Sequence, residues 1–417
     1  MELPKRKGTR MALVAEQPVV GSDRRAYRLT SIDMLRGLVI VIMALDHVRD
    51  YVSVSHQDPM DDPNTSLTLF ATRWITHLCA PVFVFLAGTS AGLMASRKSP
   101  PAMGAFLLKR GVWLIFIDAF VISTAWTFSP FGIEYPDDPA WNGKTLVVMA
   151  VIWAIGASMV ILAGLQFFGR RTCLLIGAAI VLGHNLLDPI WPAGGEGDWP
   201  LWVALHSQMG KVIGPFGVWF VYPLLPWIGV MLLGYGTVGI FQSAPAQRNS
   251  TLLRVGLGLT AAFAVLRALD LYGDPHGWQV QARGITATIM SFLNATKYPP
   301  SLQFLLMTLG PAAILCAFAD RMHGAIKDAL VMFGRVPFAF YVSHVYLIHA
   351  LSVVLGVSLG FTASQFLTWF PYFPEGYGVS LPGVYLAWLL VIAMLYPFCR
   401  SVAAVKARRT DWWLSYV

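Results

Sequence analysis

Long apolar runs separated by polar breaks dominate the chain. A spanning helix needs about 20 mostly apolar residues. Ten stretches qualify: residues 32–53, 69–95, 105–127, 145–166, 172–190, 215–240, 252–272, 301–319, 332–357 and 383–403. The pattern predicts an all-α, polytopic transmembrane helix bundle. Gly and Pro recur within the runs, as in Gly214-Pro215-Phe216-Gly217 and at Pro223 and Pro226. Neighbouring helices can satisfy the backbone at such positions. The pattern is faintest over 172–190, where His184, Asn185 and Asp188 crowd one end.

The polar breaks carry a charge asymmetry. With both termini on one side, that side and its helix ends hold 23 of the 30 Lys and Arg residues. The opposite side holds Arg49, Arg73, Lys144, Lys211, Arg267, Arg283 and Lys297. The positive-inside rule makes the richer side, and both termini, cytoplasmic. The other side has the longer loops, at 54–68, 128–144, 191–214, 273–300 and 358–382, which suggests an outward-facing working surface. Residues 1–27 read as a basic cytoplasmic arm lacking the apolar core of a signal peptide. Residues 28–405 read as one membrane domain, and 406–417 as a cytoplasmic tail.

Composition agrees. Of 417 residues, 56% are hydrophobic and 12% charged, against about 45–50% and 25% in soluble domains. A soluble enzyme, a disordered tail and a nucleic-acid module are thereby excluded. The net charge of +8 is explained by topology rather than by a nucleic acid. Cys79, Cys173, Cys316 and Cys399 lie in or beside apolar runs without paired short spacing. They read as buried hydrophobes rather than disulfides or metal ligands, so no metal is expected.

Ionisable residues within the runs mark candidate sites. Asp33 and Arg36, three apart, can pair on one helix face, or serve as a helix-start cap with Ser31. Asp46 and His47 lie near the other end of that run, where an imidazole suits proton transfer. Arg36 and His47 are eleven residues apart, so they share a face about 16 Å apart along the axis. That arrangement suits an elongated anionic donor lying along the helix. Arg73 and His77 share a face of the second run, with a small-residue stripe beyond them at Gly88, Ser90, Ala91 and Gly92. Asp118 sits mid-run, with Arg73, His77 and Lys297 as candidate partners. Lys297 and Tyr298 precede the stiff Pro299-Pro300, placed to face the site. His344 reads as a helix-packing hydrogen-bonder, with His349 a turn and a half later.

The stretch Arg28-Leu29-Thr30-Ser31-Ile32-Asp33-Met34-Leu35-Arg36-Gly37 followed by Asp46-His47 resembles the opening of a bacterial membrane family. That family is related to the catalytic domain of heparan-alpha-glucosaminide N-acetyltransferase. Phe70-Ala71-Thr72-Arg73-Trp74-Ile75-Thr76-His77, Thr296-Lys297-Tyr298-Pro299-Pro300-Ser301 and Gly334-Arg335-Val336-Pro337-Phe338-Ala339-Phe340-Tyr341 extend the likeness over about residues 28–405. A more distant likeness runs to the type 3 membrane acyltransferases. The resemblance implies an inner-membrane enzyme that moves an acyl group, acetyl in the first instance, from acyl-CoA at the cytoplasmic side. The acceptor would be a sugar or glycolipid amine or hydroxyl at the far side. His47 and His56 compete for the active histidine; Asp46, Arg49 and the helix favour His47. Arg36 and nearby basic residues would hold the CoA phosphates, with Asp33 paired to Arg36 in the same cofactor-binding site. Arg73, His77, Asp118, Lys297 and Tyr298 would bind substrate. The lipid bilayer is the expected surrounding partner, and a homodimer is compatible with this reading. A transporter or flippase of an envelope glycan or lipid precursor is the alternative, lowered by the lack of a convincing inverted repeat. A non-catalytic partner in an envelope-modifying complex is a weaker option.

Overall fold

The computed structural model describes residues 29–55, 58–135, 139–190, 200–409, 411 and 414. The basic arm, His56 and most of the tail beyond residue 409 lie outside the described residues. The first helices are α1 (Thr30–Val52), α2 (Leu67–Thr76), α3 (Cys79–Ala95) and α4 (Pro100–Phe116). After α4 a π-helical turn, Ile117–Ile122, leads into α5 (Ser123–Thr127). Then follow α6 (Val151–Leu165), α7 (Arg170–Gly183), α8 (Pro200–His206), α9 (Leu224–Gly236) and α10 (Val238–Gln242). The last six are α11 (Pro245–Leu269), α12 (Ile285–Leu293), α13 (Leu302–Phe318), α14 (Ala325–Arg335), α15 (Pro337–Ser358) and α16 (Leu381–Arg408).

The protein is mostly helical. Among the described residues, seven helical segments are long and apolar enough to cross a membrane: Leu67–Ala95, Val151–Phe168, Leu224–Gln242, Pro245–Leu269, Leu302–Arg321, Pro337–Ser358 and Leu381–Arg408. Helix α1 is not one of them, because Asp33, Arg36, Asp46, Arg49 and Asp50 interrupt its apolar surface. It is instead a central rod. Asp33, Asp46 and Arg49 are all buried, and α3, α13, α14, α15 and α16 pack around it. It starts at Thr30 with Leu29 as N-cap, so Ser31 is buried inside the first turn rather than capping it.

Departures from the expected elements have local causes. The run 145–166 is split: Thr145-Leu146-Val147-Val148-Met149 forms strand β1, and only then does α6 begin. Three of those five residues are β-branched, and such side chains fit a pleated surface better than a helix. The run 215–240 likewise opens as a strand. Strand β2 (Met209–Ile213) turns through Gly214-Pro215 into β3 (Phe216–Phe220). Gly214 has φ +58°, the left-handed conformation that a tight hairpin asks of glycine. The sheet order is β1-β3-β2, with β1 parallel and β2 antiparallel to β3. This sheet is an exception to the all-α expectation. The run 332–357 is also divided, since Pro337 lacks an N–H and starts α15 after α14 ends at Arg335.

The tightest crossing joins α1 to α14. A Cβ built on Gly37 would lie 1.8 Å from the Leu330 carbonyl oxygen, and one on Gly334 would lie 1.8 Å from that of Asp33. Only hydrogen fits at either position, so backbone meets backbone. Gly37→Ala or Gly334→Ala is expected to cost about 1–3 kcal/mol by overpacking. Gly164→Ala, with nothing within 4 Å of its Cβ position, should be neutral or slightly stabilising. Thermal melts of the three purified variants in one detergent would check this ordering.

Candidate functional site

Two cavities sit along α1. The one at its C-terminal end has a volume of about 340 Å³. Asp46, His47, Arg49 and Asp50 from α1 line it, with Asp58, Arg73, Lys297 and Tyr298. Trp126, Trp219, Tyr222, Trp369 and Phe370 give it aromatic walls. The second, toward the N-terminal end of α1, has a volume of about 440 Å³. Its lining includes Arg36, Arg110, Arg335 and Lys406 together with apolar residues such as Ile40, Met94, Leu107 and Met159. Phe83, Val151 and Tyr341 line both cavities, so the two are neighbours across these side chains. Arg36 lines the second cavity and His47 the first.

Charge at the α1 C-terminal end is compensated by a chain of ion pairs. Arg73 Nη1 donates to Asp46 at 2.6 Å. Its Nε and Nη2 grip Asp58 at 3.0 and 2.6 Å. Arg49 approaches Asp46 at 3.2 Å and also bonds Asp50. A guanidinium forked between carboxylates suits a buried site, because its planar donors match carboxylate geometry. Burial favours a neutral Asp58, but the Arg73 guanidinium outweighs it and holds the carboxyl well below the usual carboxylate range.

His47 is held by aromatic and imidazole neighbours. The Trp126 ring meets it edge-on at 4.9 Å between centroids. Its Nδ1 lies 2.7 Å from Nε2 of His344, which is completely buried. Lys297 and Tyr298 reach the same cavity from the loop before α13, with Lys297 Nζ 5.0 Å from the Tyr298 ring. That loop is pinned from below. Buried Arg267 donates to the carbonyls of His276, Ser291, Phe292 and Asn294. Asp274 accepts from Thr296 N, Thr296 Oγ1 and Ser301 Oγ at 2.6–2.8 Å.

At the other end, Arg36 is tied to Asp33 at 3.2 Å, to the Gly334 carbonyl at 3.2 Å and to Ser90 Oγ at 2.9 Å. Asp33 is buried behind Arg36, and the cavity lining includes Arg36 but not Asp33.

The structure brings together Asp46, His47, Arg73, Lys297 and Tyr298. His77 and Asp118 line neither cavity. His77 follows the end of α2 and packs on Phe304 with ring centroids 5.2 Å apart. Asp118 is not paired with Arg73, His77 or Lys297. Its Oδ2 accepts the backbone N–H groups of Ala150 and Trp153 at 2.8 and 2.9 Å, capping the start of α6. Two orphan donors at a positive helix end hold Oδ2 there, while buried Oδ1 has no hydrogen-bond partner among the described residues. Residues that the site analysis of the sequence did not single out include Tyr341, Trp126, Arg110, Arg335 and Lys406, and His344, read there as a packing histidine, is linked to His47. The three cations stand among the 23 assigned to the basic side. His344 gives no sequence signal of its link to His47, since 297 residues separate them.

A mostly helical bundle with several membrane-length apolar helices, holding one cavity beside a histidine and another beside clustered cations, defines a membrane protein. Residues 28–270 match the model of the heparan-alpha-glucosaminide N-acetyltransferase catalytic domain. The chain belongs to this family of membrane acyltransferases. No curated protein matches the chain. Lys297, Tyr298, Tyr341 and His344 lie beyond the matched segment.

The Asp58–Arg73 contact has a pH signature. A carboxyl held low in the folded state stabilises it fully above about pH 4, where the unfolded chain's Asp is ionised. The benefit fades as pH falls further toward the folded value. Asp58→Asn should therefore cost about 1.5–3 kcal/mol near neutrality. Its deficit against wild type should shrink below about pH 4. Thermal melts in detergent from pH 7 down to about pH 3 would read both; a deficit that stays constant would contradict the assignment.

Proposed function

We propose that this protein transfers an acetyl group from acetyl-CoA, entering at the α1 N-terminal end, to an amine or hydroxyl at the α1 C-terminal end. The single observation that carries the proposal is that two cavities along α1, one lined by His47 and one by clustered cations, share Phe83, Val151 and Tyr341 as a common wall. Arg36, Arg110, Arg335 and Lys406 line the first, so nucleotide phosphates would be held there by charge. The pantetheine arm would pass the boundary at these three residues and present its thioester to His47. The acceptor nitrogen or oxygen attacks the thioester carbonyl carbon, the new C–N or C–O bond forms, and the C–S bond breaks. His47 takes the acceptor's proton as general base and returns it to the departing CoA sulfur. Asp46, braced by Arg73, provides a negative charge beside the imidazole.

The charge asymmetry supports a cytoplasmic donor side and an outward acceptor side, in the inner membrane of a bacterium. A sugar acceptor is supported by the aromatic walls around His47 and by the family. A transporter would share two such cavities, but the cluster of four cations in one of them favours a phosphorylated donor.

The test uses the purified full chain with labelled acetyl-CoA and a panel of amino sugars. His47→Ala should lower transfer about 100-fold or more, whereas His56→Ala should stay near wild type. The reverse result would assign the base to His56. Arg335→Gln should raise KM for acetyl-CoA about 10–100-fold, the loss of one charged phosphate contact. Solute flux into proteoliposomes without acyl-CoA, alongside no acetyl transfer, would favour the transporter.

A further inference from the structure

His344 makes contacts that determine which nitrogen of His47 carries a proton. Its Nδ1 lies 2.5 Å from the Tyr341 carbonyl oxygen and 3.2 Å from that of Phe340. Carbonyl oxygens only accept, so this nitrogen bears a hydrogen. A second proton on the ring would need a counter-charge, and among the described residues no carboxylate contacts it. The rings around it are Phe340, Tyr341 and His47. An isolated cation there would be strongly disfavoured. His344 Nε2 is then a bare acceptor, and the hydrogen shared at 2.7 Å belongs to His47 Nδ1. The two ring planes lie 16° apart, as an in-plane N–H···N bond prefers. His47 Nε2 is left with its lone pair, on a residue that lines the cavity.

We infer that His344 is a positioning residue that locks His47 in its Nδ1–H tautomer, so that Nε2 is the basic nitrogen offered to the acceptor. This rests on the acyltransferase reading for its catalytic consequence, but not for the tautomer itself. The backbone of α15 supplies the reference: a helix carbonyl one turn back orients His344, which orients His47 on α1. The part a carboxylate often plays beside a catalytic histidine falls here to a neutral imidazole. Asp46 is left free to bind Arg73.

Two measurements test this. The first is 15N NMR of the histidine-labelled wild-type protein, with the His47 signals assigned by their loss in His47→Gln. A protonated Nδ1 and bare Nε2 are expected; a protonated Nε2 overturns the inference whether or not the protein proves to be an acyltransferase. The second is steady-state kinetics of three variants. His344→Ala should lower kcat about 100-fold or more while moving KM for acetyl-CoA less than about threefold. His344→Asn, whose Oδ1 can accept from His47, should recover most of that loss. His344→Lys, which can only donate, should not. If folded His344→Asn is no better than His344→Lys, or all three match wild type, the inference fails. A wild-type protein that never transfers acetyl sinks the enzymatic reading and leaves the tautomer to NMR.

Discussion

A helix carrying five charged residues cannot face lipid, and that constraint organises the molecule. Asp33, Arg36, Asp46, Arg49 and Asp50 would each be costly against hydrocarbon. Helix α1 is therefore enclosed by α3, α13, α14, α15 and α16. Enclosure forces two further features. The crossing with α14 must be backbone-close, hence Gly37 and Gly334. Each buried charge must also find a partner, so Arg73 is drawn between Asp46 and Asp58 while Arg36 is tied to Asp33, Ser90 and a carbonyl.

Much of this was legible from spacing alone. Apolar runs located most helices within a few residues, and eleven residues between Arg36 and His47 implied a common face. What the runs could not show was where an apolar stretch pairs as a strand. Residues Thr145–Met149 and Phe216–Phe220 are as hydrophobic as a helix start. Their β structure depends on a partner about seventy residues away. The placement of Asp118 was illegible for the same reason, because its partners are backbone N–H groups with no side-chain signature. His344 presented as an ordinary packing histidine until α1 and α15 were seen side by side.

The loop before α13, which brings Lys297 and Tyr298 to the His47 cavity, is held by side chains outside that cavity. Arg267 spends its guanidinium on backbone carbonyls rather than on ligand, and Asp274 does the complementary work with N–H and hydroxyl donors. Together they make the segment before α13 a fixed wall carrying Lys297 and Tyr298. Precision at the cavity thus derives from residues that never line it. The family match over 28–270 contains α1, Arg73 and Arg267, while Lys297, Tyr298 and His344 come from the part of the chain that follows.

The boundary between the two cavities, formed by Phe83, Val151 and Tyr341, has an electrical consequence. A hydrated ion entering it would have to exchange its water shell for two hydrocarbon side chains and one phenol, a barrier of the kind that closes hydrophobic gates. A slender, uncharged chain end meets no such penalty. Under the proposed function, a thioester handed over at this boundary would cross while the membrane around it keeps its voltage.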